Sequence, residues 1–358
     1  LDKASDGDQA VFLPPGQYNL SNITLPRRVR LSGVPGATRL VYAGDGHMLA
    51  AEGADHLEFT GLLIDGANRW LGDSAQGLID ARGVATFVLD NCRLTGSSKN
   101  ALALERVSGR VERSEISGAA DAGIWSVEAG RMRIAGNTVI DCGNGGILVH
   151  RWQPGEDGTI VSGNRVERIL ARSGGTGQNG NGINVFRAGN VIVSDNQIAD
   201  CAFSAIRSNS GGNVQIAGNT CLRSGETAIY CEFAFEGAVI ASNIVDGAAN
   251  GISAAACALA ANASDPSVPA RIPDPDDPEA TIANPAYRPG YQTVRTAISR
   301  RAVEVGPRIS DYDTTLFDYR LGFRGDLSSS LSWDVFGSYG QSENIQTIQG
   351  YTLNSRVQ

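Results

Sequence analysis

The sequence has 358 residues, enough to bury a hydrophobic core, with 44 glycines and only 6% aromatic residues. This composition indicates an extended β architecture with many turns and argues against a helical bundle. The formal net charge of −8 argues against general binding to nucleic acids or anionic membranes. The six cysteines form no CxxC pair and no zinc-ligand spacing, so we predict buried thiols, no metal site and no cofactor.

A repeat of about 23 residues begins early in the chain and is marked by a recurring Asn, replaced once by Ser. The marked residues, separated by 23, 23, 27, 32, 23 and 24 residues, are Asn91, Ser114, Asn137, Asn164, Asn196, Asn219 and Asn243. Val and Ile alternate with polar residues around each of them, which predicts short strands. A second short strand is predicted to start about ten residues later, at Leu102, Ile124, Ile147, Ile183, Ile206, Ile229 and Ile252.

This period predicts a solenoid, in which each repeat buries its apolar face against its neighbours. Short β runs, Gly-rich turns and the absence of helical periodicity favour an all-β parallel β-helix with about 23 residues per coil. Stacked coils would place the Asn side chains above one another, where amides can pair between coils. We therefore interpret the repeated Asn as structural, and assign residues 1–255 to a β-helix repeat domain.

The pattern changes after Ser253. Residues 261–289 contain seven of the thirteen prolines, and we predict an Ala/Pro-rich linker at 256–297. Residues 298–358 then alternate between apolar and polar positions, with Phe317 and Tyr319 on one face and Asp318 on the other. Strands of about ten residues joined by a tight turn at "GDLSSS" are typical of an outer-membrane barrel hairpin. An ordinary antiparallel hairpin with one wet face is the alternative.

Candidate site residues lie on the second strand of each coil, where positions one and three after the leading Ile or Leu should point outward. The first outward column is Ala103, Trp125, Leu148, Asn184, Arg207 and Tyr230. The second is Glu105, Val127, His150, Phe186, Asn209 and Glu232. The positions between them, predicted to point inward, are Leu104, Ser126, Val149, Val185, Ser208 and Cys231. Longer loops at 151–157 and 170–180 would border a groove around His150 and Asn184.

These columns predict two local groups, because His150 and Glu232 are three coils, roughly 14 Å, apart. The first group is His150 with Arg151, Asn184 and Arg187; the second is Glu232 with Arg207, Asn209 and Tyr230. The candidate catalytic residues are His150, Glu232 and Arg207. His150 or Glu232 would act as acid or base, while an arginine would hold a carboxylate of an acidic polysaccharide. The candidate substrate-binding residues are Trp125, Arg151, Asn184, Phe186, Arg187, Asn209 and Tyr230. The structural alternative is a surface ion pair between Arg207 and Glu232.

Longer stretches of the sequence resemble known protein families. "AVFLPPGQYNL" and "ITLPRRVRLSGVPGATRLVY" resemble the start of pectate-lyase-like right-handed β-helix proteins. Continuing through "CGNGGILVHR" and "GQNGNGINVFRAGNVIV", residues 8–253 are similar to uncharacterised twin-arginine-translocated repeat proteins of bacteria. That resemblance implies a right-handed parallel β-helix and export to the periplasm or cell envelope, but no established activity. "RRAVEVGPRISDYDTTLFDYRLGFRGDL", within residues 298–358, resembles barrel strands of TonB-dependent outer-membrane receptors, which implies outer-membrane association.

We therefore predict an exported β-helix protein whose partner is a polysaccharide or oligosaccharide. Cleavage of that partner is left open; an enzyme of this kind would be a polysaccharide lyase or a glycoside hydrolase. The alternatives are a non-catalytic envelope scaffold and a fusion or fragment of a TonB-dependent outer-membrane receptor, with a junction near residue 255.

Overall fold

The computed structural model describes residues 10–175, 177–233, 236–255, 271–273, 281–283, 309–328 and 331–349. Side chains are described for residues 10–175, 177–233 and 237–254. No helix in these ranges is long and apolar enough to cross a membrane.

Residues 10–255 form three parallel sheets of ten strands, and each coil adds one strand to each sheet. Strands are numbered in chain order. Sheet A contains β1 (Ala10–Phe12), β4 (Arg28–Ser32), β7 (His56–Thr60), β10 (Thr86–Asp90), β13 (Gly109–Glu112), β16 (Arg133–Ala135), β19 (Ile160–Ser162), β22 (Ile192–Ser194), β25 (Gly212–Ala217) and β28 (Glu236–Ala241). Sheet B contains β2 (Gly16–Leu20), β5 (Thr38–Tyr42), β8 (Leu63–Asp65), β11 (Arg93–Thr95), β14 (Glu115–Ser117), β17 (Thr138–Ile140), β20 (Arg165–Ile169), β23 (Gln197–Cys201), β26 (Thr220–Leu222) and β29 (Ile244–Asp246). Sheet C contains β3 (Ile23–Thr24), β6 (Leu49–Glu52), β9 (Gly77–Arg82), β12 (Asn100–Glu105), β15 (Ala122–Val127), β18 (Gly145–Glu156), β21 (Asn181–Gly189), β24 (Ile206–Asn209), β27 (Thr227–Glu232) and β30 (Asn250–Ala255). The architecture is the predicted right-handed parallel β-helix.

The repeated Asn residues stack at the corner between sheets A and B, as predicted. Asn164 donates from its backbone N–H and its Nδ2 to Oδ1 of Asn196, both at 2.9 Å. The same pair of bonds links the neighbouring coils along the ladder of Asn137, Asn164, Asn196, Asn219 and Asn243. The ladder satisfies buried amide groups at a corner where the backbone leaves one sheet for the next. It also fixes the register of the coils.

The register at the start of this ladder differs from our prediction by one residue. Cys92, and not Asn91, donates its backbone N–H to Ser114 Oγ at 3.1 Å, and Ser114 in turn donates to Asn137 Oδ1. Asn91 occupies the preceding corner position with a φ of 49°, a left-handed conformation that Asn adopts more readily than most residues. Each coil also has three strands where we predicted two, because the corner Asn divides the first apolar run between sheets A and B.

The leading Ile and Leu residues of sheet C fill the interior in register, one above another, and those from Leu102 to Ile229 are fully buried. Only a small residue fits immediately before each of them. A Cβ added at Gly146 would lie 2.3 Å from the carbonyl oxygen of Gly182 on the next coil. Four thiols, those of Cys92, Cys142, Cys201 and Cys221, are buried and free of disulfides, as predicted.

The remaining strands pair antiparallel. β31 (Arg271–Pro273) and β32 (Thr281–Ala283) form a short pair within the predicted linker. β33 (Ile309–Ser328) and β34 (Leu331–Gln349) form the predicted hairpin, with strands of 20 and 19 residues where we expected about ten. The predicted apolar and polar faces of this hairpin lie outside the described side chains. The three domain boundaries stay predictions.

Candidate functional site

The outer surface of sheet C, here called the sheet C face, carries the candidate residues in two aligned columns. The predicted register is confirmed: Leu148 pairs with Trp125 and Asn184, and Arg207 pairs with Asn184 and Tyr230. The residues predicted to point inward, Leu104, Ser126, Val149, Val185, Ser208 and Cys231, are all buried. The two columns also extend to earlier coils, where Asp80 pairs with Ala103 and Arg82 pairs with Glu105.

The group around Glu232 comes together as predicted. The Arg207 Nε donates to Glu232 Oε1 at 2.5 Å, and Asn209 Nδ2 donates to the same oxygen at 3.2 Å. Burial and the neighbouring Glu232 carboxylate raise the pKa of the Tyr230 phenol. These side chains converge on one carboxylate, which fixes the positions of all of them.

Arg207 and Glu232 are nevertheless buried, with 9% and 5% of each residue exposed, whereas we expected outward groups open to a ligand, with an exposed surface ion pair as the alternative. The physical reason is the loop at 170–180. The carbonyl oxygen of its Gly177 accepts a hydrogen bond from Arg207 Nη1 and covers the guanidinium. All three nitrogens of Arg207 thus contact protein atoms, through Glu232 and Gly177.

The group predicted around His150 does not converge on its ring. The imidazole is edge-on to Phe186 with ring centroids 5.6 Å apart, and its Nε2 is buried without a hydrogen-bond partner among the described residues. Burial lowers the pKa of His150 to about 4, so the ring is neutral near pH 7. Asn184 is also buried.

The two arginines of this group turn toward the end of β18 instead. Arg151 pairs with Glu128 at 2.7 Å and donates to the carbonyl of Glu156, also at 2.7 Å. The Arg187 guanidinium lies 4.7 Å from the centre of the Phe186 ring and donates to the carbonyl of Trp152. The segment predicted as a loop at 151–157 is largely the continuation of β18, with an irregularity in pairing after His150.

Aromatic rings lie on the outside of this face. Trp125 is half-buried and contacts Trp152 edge-on, with ring centroids 6.4 Å apart. Trp152 is 50% exposed and was missed by the column analysis, because it lies beyond the regular part of the strand. Its position two residues after His150, within "VHRW", was the available signal.

A cleft at the earlier coils was also missed. Its volume is about 240 Å³, and its lining includes Thr24, His47, Glu52, Ser74, Asp80 and Arg82. Asp80 is buried and pairs with Arg82 at 2.9 Å, while Nε2 of His47 is buried without a hydrogen-bond partner in the described part of the chain. The signal was present: "GLIDAR" precedes "NALALE" by one 23-residue step, so Asp80 and Arg82 fall in the two outward columns.

A second cleft, of about 450 Å³, lies at the corner where the chain enters sheet C. Its lining is polar and includes Gln76, Ser98, Lys99, Asp121, Asn144 and Ser173. Lys99 Nζ donates to the carbonyls of Gly72, Asp73 and Ala75 at 2.8, 3.2 and 2.7 Å. It therefore holds the long connection at 66–76 between β8 and β9. No three His, Cys, Asp or Glu side chains within the described ranges are placed to hold a metal ion.

Comparisons with solved structures identify other β-helices. The enzymatically active domain of tailspike protein 2 from bacteriophage CBA120 aligns with a TM-score of 0.51 and 13% identity, over 71% of this chain and 43% of that one. Pectate lyase Pel9A aligns with a TM-score of 0.45 and 12% identity, over 70% and 72% of the two chains. The A-module of mannuronan C-5 epimerase AlgE4 from Azotobacter vinelandii aligns with a TM-score of 0.41 and 16% identity, over 70% and 91%.

At these identities the structural similarity concerns the fold alone, and the chain spans less than half of the tailspike domain's length. A comparison with curated protein sequences gives no match. The profile of the right-handed β-helix region family matches residues 49–175 and 152–264. These overlapping matches cover more than half of the sequence, and the chain belongs to the right-handed β-helix family.

Proposed function

We propose that this chain binds a polysaccharide along the sheet C face. The observation that carries the proposal is the regular placement of rings on a continuous, in-register surface. Trp125, Phe186 and Tyr230 are half-buried and occur at every second coil, Trp125 and Tyr230 in the first outward column and Phe186 in the second. Coils two apart are separated by about 10 Å. That separation is comparable with the length of a disaccharide. Large, partly exposed rings such as Trp125 and Tyr230 offer apolar area to the C–H faces of sugars at low entropic cost.

The surroundings of the candidate catalytic residues support binding of a polysaccharide better than they support its cleavage. Glu232 is bonded to Arg207 and Asn209, and Arg207 is covered by the carbonyl of Gly177. The Nε2 of His150 is buried. A general acid or base must come within hydrogen-bond reach of the proton that it transfers, and these groups face other protein atoms. A catalytic role for His150, Glu232 and Arg207 as lyase or hydrolase residues therefore stays a prediction.

A pair of tryptophan variants tests the proposal. We expect Trp125→Ala to weaken binding to a polysaccharide that the wild type retains in affinity electrophoresis by about tenfold, because a stacking platform is lost. Trp70→Ala is the matched control, since Trp70 is 66% exposed but lies on the connection at 66–76. Equal losses in the two variants would argue against the sheet C face as the binding site, and no retention of the wild type by any glycan would favour the scaffold alternative.

A separate assay addresses cleavage. Incubation of the full chain with each retained polysaccharide, followed by measurement of new reducing ends and of unsaturated products, distinguishes hydrolysis from elimination. Loss of product in Glu232→Gln with binding preserved would support a catalytic Glu232. Absence of any product from a retained polysaccharide would assign binding alone.

Export to the periplasm or cell envelope and outer-membrane association of residues 298–358 belong to the same proposal. They rest on the family resemblances in the sequence. Fractionation of bacterial cells that express the complete gene tests both. Sequencing genomic DNA across the codons for residues 250–300 tests whether the two segments are joined in nature.

A further inference from the structure

We infer that the polysaccharide bound by the sheet C face is uncharged, so that the ligand class is neutral sugars and not uronates. This inference rests on the proposed binding function and departs from the acidic substrate that the sequence suggested. It follows from the state of the arginines that would have to recognise a carboxylate.

Four arginines on the sheet C face or at its border already have a carboxylate partner. The ion pairs are Arg82 with Asp80, Arg106 with Glu105, Arg151 with Glu128, and Arg207 with Glu232. Arginine recognises a carboxylate through parallel hydrogen bonds from its planar guanidinium. A uronate that binds the same edge of a guanidinium would therefore have to displace a protein carboxylate, most completely at Arg207, where all three nitrogens already contact protein atoms.

The two innermost pairs make such displacement costly. The side chains of Arg207 and Glu232 are 11% and 7% exposed, and those of Arg151 and Glu128 are 22% and 16% exposed. Removing a partner from a buried pair leaves an uncompensated charge, which costs far more than breaking an exposed pair. Arg187 donates from Nη1 to the Trp152 carbonyl, and its guanidinium lies over the Phe186 ring.

The remaining polar groups suit hydroxyls better than carboxylates. Glu52 is exposed and lines the cleft at the earlier coils next to Asp80. Ionised carboxylates accept hydrogen bonds from sugar hydroxyls but repel a uronate. His150 is neutral near pH 7 because burial lowers its pKa to about 4, so it adds no positive charge. Glu52 and the four paired carboxylates lie on the same face as these arginines, so a polyanion would meet negative as well as positive charge there.

The decisive ligands are pairs that differ only in charge. We would compare polygalacturonate with its carboxyl-reduced form, and alginate with carboxyl-reduced alginate, together with neutral glucan, mannan, xylan and galactan oligosaccharides. Retention of the wild-type full chain would be measured by affinity electrophoresis at low and high ionic strength. We expect a neutral ligand to bind at least about tenfold more tightly than any uronate, the loss expected when a charged group is desolvated without a partner. We also expect binding to be insensitive to salt.

Glu128→Gln tests the reason for the selectivity. Glutamine keeps an oxygen that can accept the hydrogen bond from the backbone N–H of Trp152, which now goes to Glu128 Oε1 at 2.6 Å. It removes the negative charge that pairs with Arg151. We expect this variant to gain about tenfold in affinity for a uronate, from one new charge-assisted interaction, with neutral binding unchanged. Glu115→Gln, which removes a carboxylate paired with Arg93 on sheet B, is the control.

The outcomes separate the two proposals. Tighter binding of a uronate by the wild type would overturn the neutral-ligand inference and leave the proposed binding function intact. A folded Glu128→Gln protein that keeps neutral binding but gains no uronate affinity would also overturn it, because ion pairing would then not be what excludes uronates. No binding to any glycan in the panel would overturn the proposed function and this inference with it.

Discussion

Replacing Asn196 by Ala should be among the most destabilising single changes in the β-helix, although the residue touches no candidate ligand site. Asn196 is 1% exposed and stands in the middle of the ladder. Its Oδ1 accepts from the backbone N–H and the Nδ2 of Asn164, and its Nδ2 donates to the carbonyl of Val161 and to Asn219 Oδ1.

The magnitude follows from the groups left behind. Asn196→Ala removes four hydrogen bonds. Asn164 Nδ2 keeps its bond to the Ile134 carbonyl, and Asn219 Oδ1 still accepts from the backbone N–H of residue 196. The backbone N–H of Asn164 and the carbonyl of Val161 lose the side-chain partner inside a buried corner. A buried polar group without a partner costs about 1–3 kcal/mol, and partial relaxation lowers the sum. We expect a loss of about 3–4 kcal/mol in the free energy of unfolding. Asn243→Ala, at the half-buried end of the ladder, should lose only about 1 kcal/mol, because water can replace its bonds.

Urea unfolding followed by circular dichroism would give the two differences. Since coils of a solenoid can unfold separately, hydrogen exchange of the peptide that contains Asn164 should be measured in parallel. We expect its backbone amide to lose protection in Asn196→Ala and to keep it in Asn243→Ala. Equal destabilisation by the two variants would refute the reasoning, since it would mean that burial of the ladder does not set its contribution.

Three further predictions concern single side chains. Burial lowers the His150 pKa from 6.5 to about 4, so the unfolded chain takes up the proton first as the pH falls. The free energy of unfolding should therefore decrease by at most about 3 kcal/mol as the pH is lowered from 6.5 to 4. Urea titrations should show a smaller decrease in His150→Leu. Lys99→Met should speed hydrogen exchange in residues 66–76, because Lys99 binds the carbonyls of Gly72 and Ala75 in that connection. Unchanged exchange there would show that Lys99 does not hold the connection in place. Gly146→Ala should lower the unfolding midpoint and cost about 2 kcal/mol through overpacking against Gly182.

Most of the fold was predictable because a solenoid repeats its physical constraints at a fixed period. The ladder from Asn137 to Asn243 and the buried column from Leu102 to Ile229 both follow from spacing alone. The error at Asn91 has a local cause. Asn suits both a ladder position and the left-handed corner that precedes it, so the residue type could not decide between Asn91 and Cys92.

The environment of the candidate site was less predictable because it depends on segments outside the repeat. Alternation correctly placed Arg207 and Glu232 in the outward columns, but the strand pattern contains no information about what covers them. Gly177, which covers Arg207, belongs to an insertion with no counterpart in the neighbouring coils. The continuation of β18 through 151–156 depends in the same way on local pairing with β21, and not on the period.

The ladder explains why such insertions are tolerated at all. Neighbouring Asn residues are 27 residues apart at the first insertion and 32 at the second, yet their side-chain hydrogen bonds are 3.0 and 2.9 Å long. The coil with 23 residues between Asn196 and Asn219 has a bond of 2.9 Å. Extra residues are therefore absorbed before or after sheet C without shifting the corner between sheets A and B. Because sheet C lies between the two insertion points, insertions can reshape the border and cover of its outer face while the core stays in register. If the proposed binding function is correct, substitutions in these insertions should change the ligand contacts of the sheet C face and leave the fold intact.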